Sequence, residues 1–135
     1  MEIIFKEFTI KTKRKYEIVD LTNEVENFVR NSNIKEGICL IFLPHATTCL
    51  IANENEENLK EDIIEKIKKD FEGNWRHNFI DDNASAHLAS SYLKQFLIFP
   101  IKNNELIRGT WQRILLIELD RSRERKVIIE ILGKK

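Results

Sequence analysis

The chain has 135 residues, 42% of them apolar and 33% charged, with 22 Lys plus Arg balancing 22 Asp plus Glu. That length fits one domain of ordinary size and not two, and the composition is that of a folded globular chain rather than a disordered one. A net charge of zero weighs against a dedicated nucleic-acid binder, and no apolar run approaches the roughly 20 residues of a membrane span.

Ile4, Phe8 and Ile10 stand among polar neighbours and predict an opening strand. Residues 1–8 lack the basic start and apolar stretch of a secretory signal. The basic stretch 11–15 predicts a turn before a short strand at 16–20. Asp20 or Thr22 is the expected cap of a helix whose Leu21, Val25, Phe28 and Val29 fall at helical spacing, and Asn31-Ser32-Asn33 ends it. Gly37 opens an unbroken apolar run at 38–43. It predicts a strand buried on both faces, stopped by Pro44. Residues 49–52 predict a second short apolar strand. Cys39 and Cys49 lie in these two stretches and suit buried thiols of a reducing cytoplasm, the expected compartment. Leu59, Ile63, Ile64 and Ile67 form the stripe of an amphipathic helix ending near Gly73. A third helix is expected at 83–93, capped by Asp82 or Asn83. Strands at 96–101, 105–107, 114–119 and 126–132 follow. Strands gathered after segregated helices predict an α+β fold.

All three histidines lie in the middle third. His45 follows the apolar strand, His77 sits between two helices, and His87 shares a helix face with Asn83 four residues earlier. Three converging imidazoles hold Zn²⁺ with one position open for water, but the spacing matches no local metal motif. Composition alone favours three unrelated histidines with local partners. Most nearby acidic residues suit helix caps and solvated helix starts. Glu54 stands apart, at the end of a strand. Gly109-Thr110-Trp111-Gln112 interrupts two strands, and composition alone favours Trp111 in the core. Arg108 and Arg113 flank it as candidates for an anion. The run from Arg121 to Lys126 alternates with acidic residues and predicts a solvated hairpin tip.

Five stretches taken in order are specific. They are His45-Ala46-Thr47-Thr48-Cys49-Leu50, Asn53-Glu54-Asn55, Trp75-Arg76-His77-Asn78, Asp82-Asn83-Ala84-Ser85-Ala86-His87-Leu88 and Gly109-Thr110-Trp111-Gln112. Through them the sequence resembles the YjbQ family, small proteins described as secondary thiamine-phosphate synthases. The resemblance runs nearly end to end. It implies a compact single α+β domain with a barrel-like, mostly antiparallel β-sheet and about three helices. It also implies a homotrimer and a polar site near the histidines, within or between subunits, for a metal or an anion. The family's histidine motifs land on His45, His77 and His87, and its Asn-Glu pair on Asn53 and Glu54. The departures fall at turns and rims: Leu93-Lys94-Gln95-Phe96, Arg108, and Leu119-Asp120-Arg121-Ser122-Arg123.

Thiamine-phosphate synthesis joins hydroxymethylpyrimidine pyrophosphate to thiazole phosphate and releases pyrophosphate. It needs charge stabilisation on the leaving group, by Mg²⁺ with Lys or Arg, and a pocket that aligns two rings. On the resemblance, the catalytic set is His45, Glu54, His77 and His87, with Asp82 beside them around the metal or the leaving phosphate. The substrate-binding set is Thr47, Asn53, Arg76, Asn83, Thr110, Trp111, Gln112 and Arg113. Arg76 or Arg113 neutralises phosphate, and Trp111 packs on a ring. The alternatives are a metal-dependent hydrolase with Zn²⁺ on His45, His77 and His87 and Glu54 as base, or a non-catalytic trimer that binds a phosphorylated metabolite.

Overall fold

The structure, a computed structural model, describes residues 1–135. In chain order its elements are β1 (Glu2–Lys11), β2 (Ile18–Asp20), α1 (Thr22–Ser32), β3 (Glu36–Phe42), β4 (Thr48–Asn53), α2 (Glu57–Phe71), a 3-10 turn (Arg76–Phe79), α3 (Ala84–Tyr92), β5 (Phe96–Lys102), β6 (Glu105–Leu106), β7 (Arg113–Glu118) and β8 (Glu124–Lys134). The strands form two antiparallel sheets. One has the order β1-β8-β3-β5-β6 and curls into a half-barrel; the other has the order β2-β7-β4. The fold is α+β, as the patterning predicts.

Local chemistry sets the helix ends. Asp20 Oδ1 accepts the Thr22 N–H at 2.9 Å and starts α1, while Asn33, with φ 60°, closes it in the left-handed region asparagine tolerates. Glu56 caps α2 by accepting the N–H groups of Asn58 and Leu59. α3 departs from expectation. Asn83 occupies its N-cap position without a capping bond, and the Ala84 N–H goes instead to Asn78 Oδ1 at 3.1 Å. The Asn83 side chain is thereby left for other work.

The main core lies between the half-barrel, the small sheet and α1, around Val25, Val29, Ile41, Leu116, Ile129 and Ile131. A smaller core joins the small sheet to α2 and α3 through Cys49, Ile67, Ala86, Ala89, Ile117 and Leu119. Burial pushes both cysteine thiols up to about 12, so they stay protonated and inert at neutral pH. β7, the middle strand of the small sheet, is the strand buried on both faces: Ile114 to Ile117 are all fully buried. The expectation had placed that role on β3. There Cys39 and Ile41 are buried, but Ile38 and Phe42 face outward. β3 is apolar on both faces because the outer face of the half-barrel is itself apolar. Register lines up Ile3, Leu132, Ile38 and Pro100 in one row across four strands, with Phe42 beside Phe96 in another. Nothing in the chain covers that face.

Gly37 and Gly133 pair across β3 and β8, where a Cβ on either would collide with the opposite backbone. The two strands therefore approach closely at that point.

Candidate functional site

β3 leads through Pro44 into His45, and β4 begins at Thr48. The neighbouring support is β8. Its Lys126 N–H donates to His45 Nε2 at 2.9 Å. The Lys126 carbonyl oxygen lies 3.1 Å from the same Nε2, so that atom meets both a donor and an acceptor of one residue, while Nδ1 has no partner in the chain. Burial lowers the His45 pKa below its ordinary 6.5, and the nearby Arg125 charge lowers it further. His45 is thus a neutral imidazole whose Nδ1 faces no group of the chain.

His45 lines a groove of about 430 Å³ with Phe42, His87, Ser90, Ser91 and Gln95. The His87 ring has no hydrogen-bond partner in the chain. It meets His77 edge to face, with ring centroids 4.8 Å apart. His77 Nε2 donates to Asn83 Oδ1 at 3.0 Å, and Asn83 Nδ2 donates to Asp120 Oδ2 at 3.1 Å. A chain of oriented groups therefore runs from a buried carboxylate to an imidazole on the groove wall. Burial alone would raise the Asp120 pKa. Hydrogen bonds from Asn83 and Arg121, with the Arg121 and Arg123 charges, outweigh it and hold the carboxyl below its ordinary value.

The tip of the β7–β8 connection, residues 121–124, is exposed as its alternating charges predict, but the charges at its base are not. Glu118 is fully buried and Arg125 nearly so. Arg125 Nε donates to Glu118 Oε1 at 2.8 Å, and its Nη2 reaches Glu118 Oε2 and Thr47 Oγ1. Thr12 Oγ1 donates to Glu118 Oε1 at 2.7 Å, and the Asp120 N–H to Glu118 Oε2 at 3.0 Å. Arg121 and Arg123 extend outward but both hold Asp120, and Arg121 also grips Asp81. The alternation of sign is what packs one charge against the next.

At the far end of β4 lies a second hollow, of about 500 Å³. It is lined by Asp20, Glu54, Asn55, Glu56, Thr110, Trp111 and Arg113. Trp111 is 71% exposed, so it is not a core residue. Arg113 Nε donates to Asp20 Oδ2 at 2.8 Å and keeps its terminal nitrogens unpaired, whereas Arg108 is held by Glu26 and by the carbonyls of Gly109, Thr110 and Gln112. Gln112 Oε1 folds back to accept the Gly109 N–H at 2.7 Å. Asn53 Oδ1 accepts the Glu54 N–H at 2.8 Å.

The expected site residues thus fall into two groups within one chain. His45, Thr47, His77, Asn83 and His87 gather at one end of β4; Asn53, Glu54, Thr110, Trp111, Gln112 and Arg113 gather at the other. Six residues of strand separate them by about 17 Å. Arg76 is exposed and makes no ion pair. Asp82 lines a separate hollow with Lys15, Glu72 and Ser85. No three His, Cys, Asp or Glu side chains within the chain are grouped to hold a metal ion. Sequence reasoning missed Asn78, Glu118, Asp120 and Arg125. The one available signal was Glu118, a carboxylate inside an apolar strand run with an arginine seven residues on.

Known proteins match the chain over nearly its whole length. The family model described as UPF0047 protein YjbQ-like matches residues 6–134. A UPF0047 protein of Archaeoglobus fulgidus is 40% identical over 128 residues, covering 93% of this chain and 99% of that protein. The UPF0047 protein YugU of Bacillus subtilis is 33% identical, covering 96% of this chain and all of YugU. Among solved structures, a YbjQ-like protein of unknown function from Sulfolobus solfataricus superposes with a TM-score of 0.96 at 48% identity, covering 98% of this chain and 99% of that one. No helix is long and apolar enough to cross a membrane. The chain belongs to the YjbQ-like UPF0047 family.

Proposed function

We propose that this chain acts on a small phosphorylated metabolite in the histidine groove, and that the reaction is the joining of hydroxymethylpyrimidine pyrophosphate to thiazole phosphate, as the resemblance implies. The observation that carries the reading is the Asp120–Asn83–His77 chain, which ends against an unpartnered His87 on the groove wall. A buried polar chain of this kind is costly unless every member is satisfied, and its product here is a fixed imidazole.

In the reaction the thiazole nitrogen's lone pair forms the bond to the methylene carbon. The carbon–oxygen bond to pyrophosphate breaks, and pyrophosphate leaves with that electron pair. Donors aimed at the departing oxygens stabilise the charge that develops there. The His45 and His87 rings supply such donors, and Mg²⁺ arrives with the pyrophosphate as part of the substrate. Ser90, Ser91 and Gln95 add polar groups along the groove.

The partner in this reading is a second copy of the chain, assembled as the homotrimer that the resemblance implies. Support comes from the uncovered face of the half-barrel, where Ile3, Phe5, Ile38, Phe42, Phe96 and Ile98 are all exposed. An apolar surface of that extent marks an interaction site. Phe42 belongs both to this face and to the groove, so a neighbour seated there adds a wall to the site.

The test incubates native protein and His87→Ala with both precursors and Mg²⁺, and follows thiamine phosphate by chromatography. The expected result is product from the native protein and a loss of about 10²-fold or more in the variant. Equal product from both removes the histidines from the reaction; none from either removes the reaction.

A further inference from the structure

Three histidines contributed by two separate stretches of chain must be held in one arrangement, and one hairpin touches both stretches. We propose that the buried Glu118–Arg125 pair is a positioning device that couples the two arms of the histidine groove. This rests on the groove being the working site.

The first arm is the loop carrying His45. Arg125 Nη2 donates to Thr47 Oγ1 at 2.9 Å and to Thr47 O at 3.3 Å, two residues beyond His45. The next residue, Lys126, gives its N–H to His45 Nε2. The same two residues of β8 therefore fix the loop and the ring. The second arm is the Asp120–Asn83–His77 chain. Glu118 Oε2 accepts the Asp120 N–H at 3.0 Å and sets where the Asp120 carboxylate stands. Asp120 then orients Asn83, and Asn83 orients His77 against His87. Glu118 is the shared anchor, because Arg125 and Asp120 both bond to its carboxylate.

Arg125 is retained here with a planar fork that meets Glu118 on one side and Thr47 on the other, which a lysine cannot do. Arg125→Lys keeps the charge beside Glu118 and removes the fork.

The experiment uses the full chain with uniformly ¹⁵N-labelled histidine and records the ring nitrogen signals of His45, His77 and His87 at one fixed neutral pH. No substrate is needed, so the result is independent of which reaction the groove performs. The expected result for Arg125→Lys is displacement of both the His45 and the His77 signals. The Trp111 indole signal, at the far end of β4, stays in place. The same variant is expected to lose about 10- to 100-fold in kcat for thiamine-phosphate formation. Histidine signals at their native positions in a folded Arg125→Lys protein overturn the proposal and leave the pair a purely structural one. Thr47→Val tests the first arm if Arg125→Lys fails to fold. It removes a single acceptor and is expected to displace His45 while His77 holds. An unmoved His45 in Thr47→Val overturns the coupling as well.

Discussion

The two ends of β4 are built on opposite plans. At the histidine end, each oriented group is held by another, back to a carboxylate with no solvent exposure: His77 by Asn83, Asn83 by Asp120, Asp120 and Arg125 by Glu118. At the tryptophan end the groups are displayed with little behind them. Trp111 stands in solvent, Glu54 has no partner, and Arg113 offers two unpaired nitrogens. The first plan suits chemistry, which needs orientation before the substrate arrives. The second suits a surface that is completed by something else, a ligand or a neighbouring copy. The contrast also explains how one short strand serves both: β4 is buried at its start, where the histidine loop joins, and exposed at its last residue, Asn53.

The sharpest way to break this contrast is to cut the anchor. Arg125→Met leaves Glu118 charged, buried and unpaired, and is expected to cost about 3–5 kcal/mol in urea unfolding. Pairing it with Glu118→Gln in a double variant is expected to recover much of that loss, because the uncompensated charge is gone. A smaller effect follows from Asn83→Leu, which disconnects His77 from Asp120. Thiamine-phosphate formation should fall about 10- to 100-fold, while Asp120 keeps its arginines and the fold persists. The apolar face offers a third test. Ile38→Glu together with Ile98→Glu puts two charges into it, and light scattering should then read a monomer, where the proposed trimer predicts an assembly for the native chain.

Effects of pH are gentler. The folded-state pKa of His45 lies below 6.5, so the unfolded chain binds the proton more tightly. Its contribution to stability is complete above about pH 6.5 and is lost as pH falls through that value toward the folded pKa. Asp20 and Asp120, both lowered in the fold, act the same way below 3.8. Thermal melts across pH should show two successive losses, one near neutral and one in acid. The smallest stability change belongs to Trp111→Ala. Its exposure predicts a shift within about 0.5 kcal/mol, with any loss appearing in ligand binding instead.

Much of the fold was legible because it is local. Helical spacing at Leu21, Val25 and Val29, the stripe in α2, and glycine, proline and asparagine punctuation locate the elements to within a few residues. The errors concern what lies opposite an element. β3 and β7 are both continuous apolar runs, and only topology tells which has a layer on each face. Trp111 reads as core by residue type, yet it sits in a turn held outward by Arg108. At the site, the histidines and Asn83 were legible through their motifs. Glu118, Asp120 and Arg125 were not, because alternating charges in a hairpin look the same whether they face water or one another. Whether Glu54 and Trp111 belong with the histidines is likewise not a local property, since 17 or so ångströms of strand come between them.

The most direct measurement is a titration of the native protein with thiamine phosphate, following the histidine ring signals and the two tryptophan indole signals by NMR. Saturable movement of His45 and His87 at one shared midpoint is the predicted result. Movement of the Trp111 indole with all three histidines stationary would contradict the account and move the working site to the other end of β4.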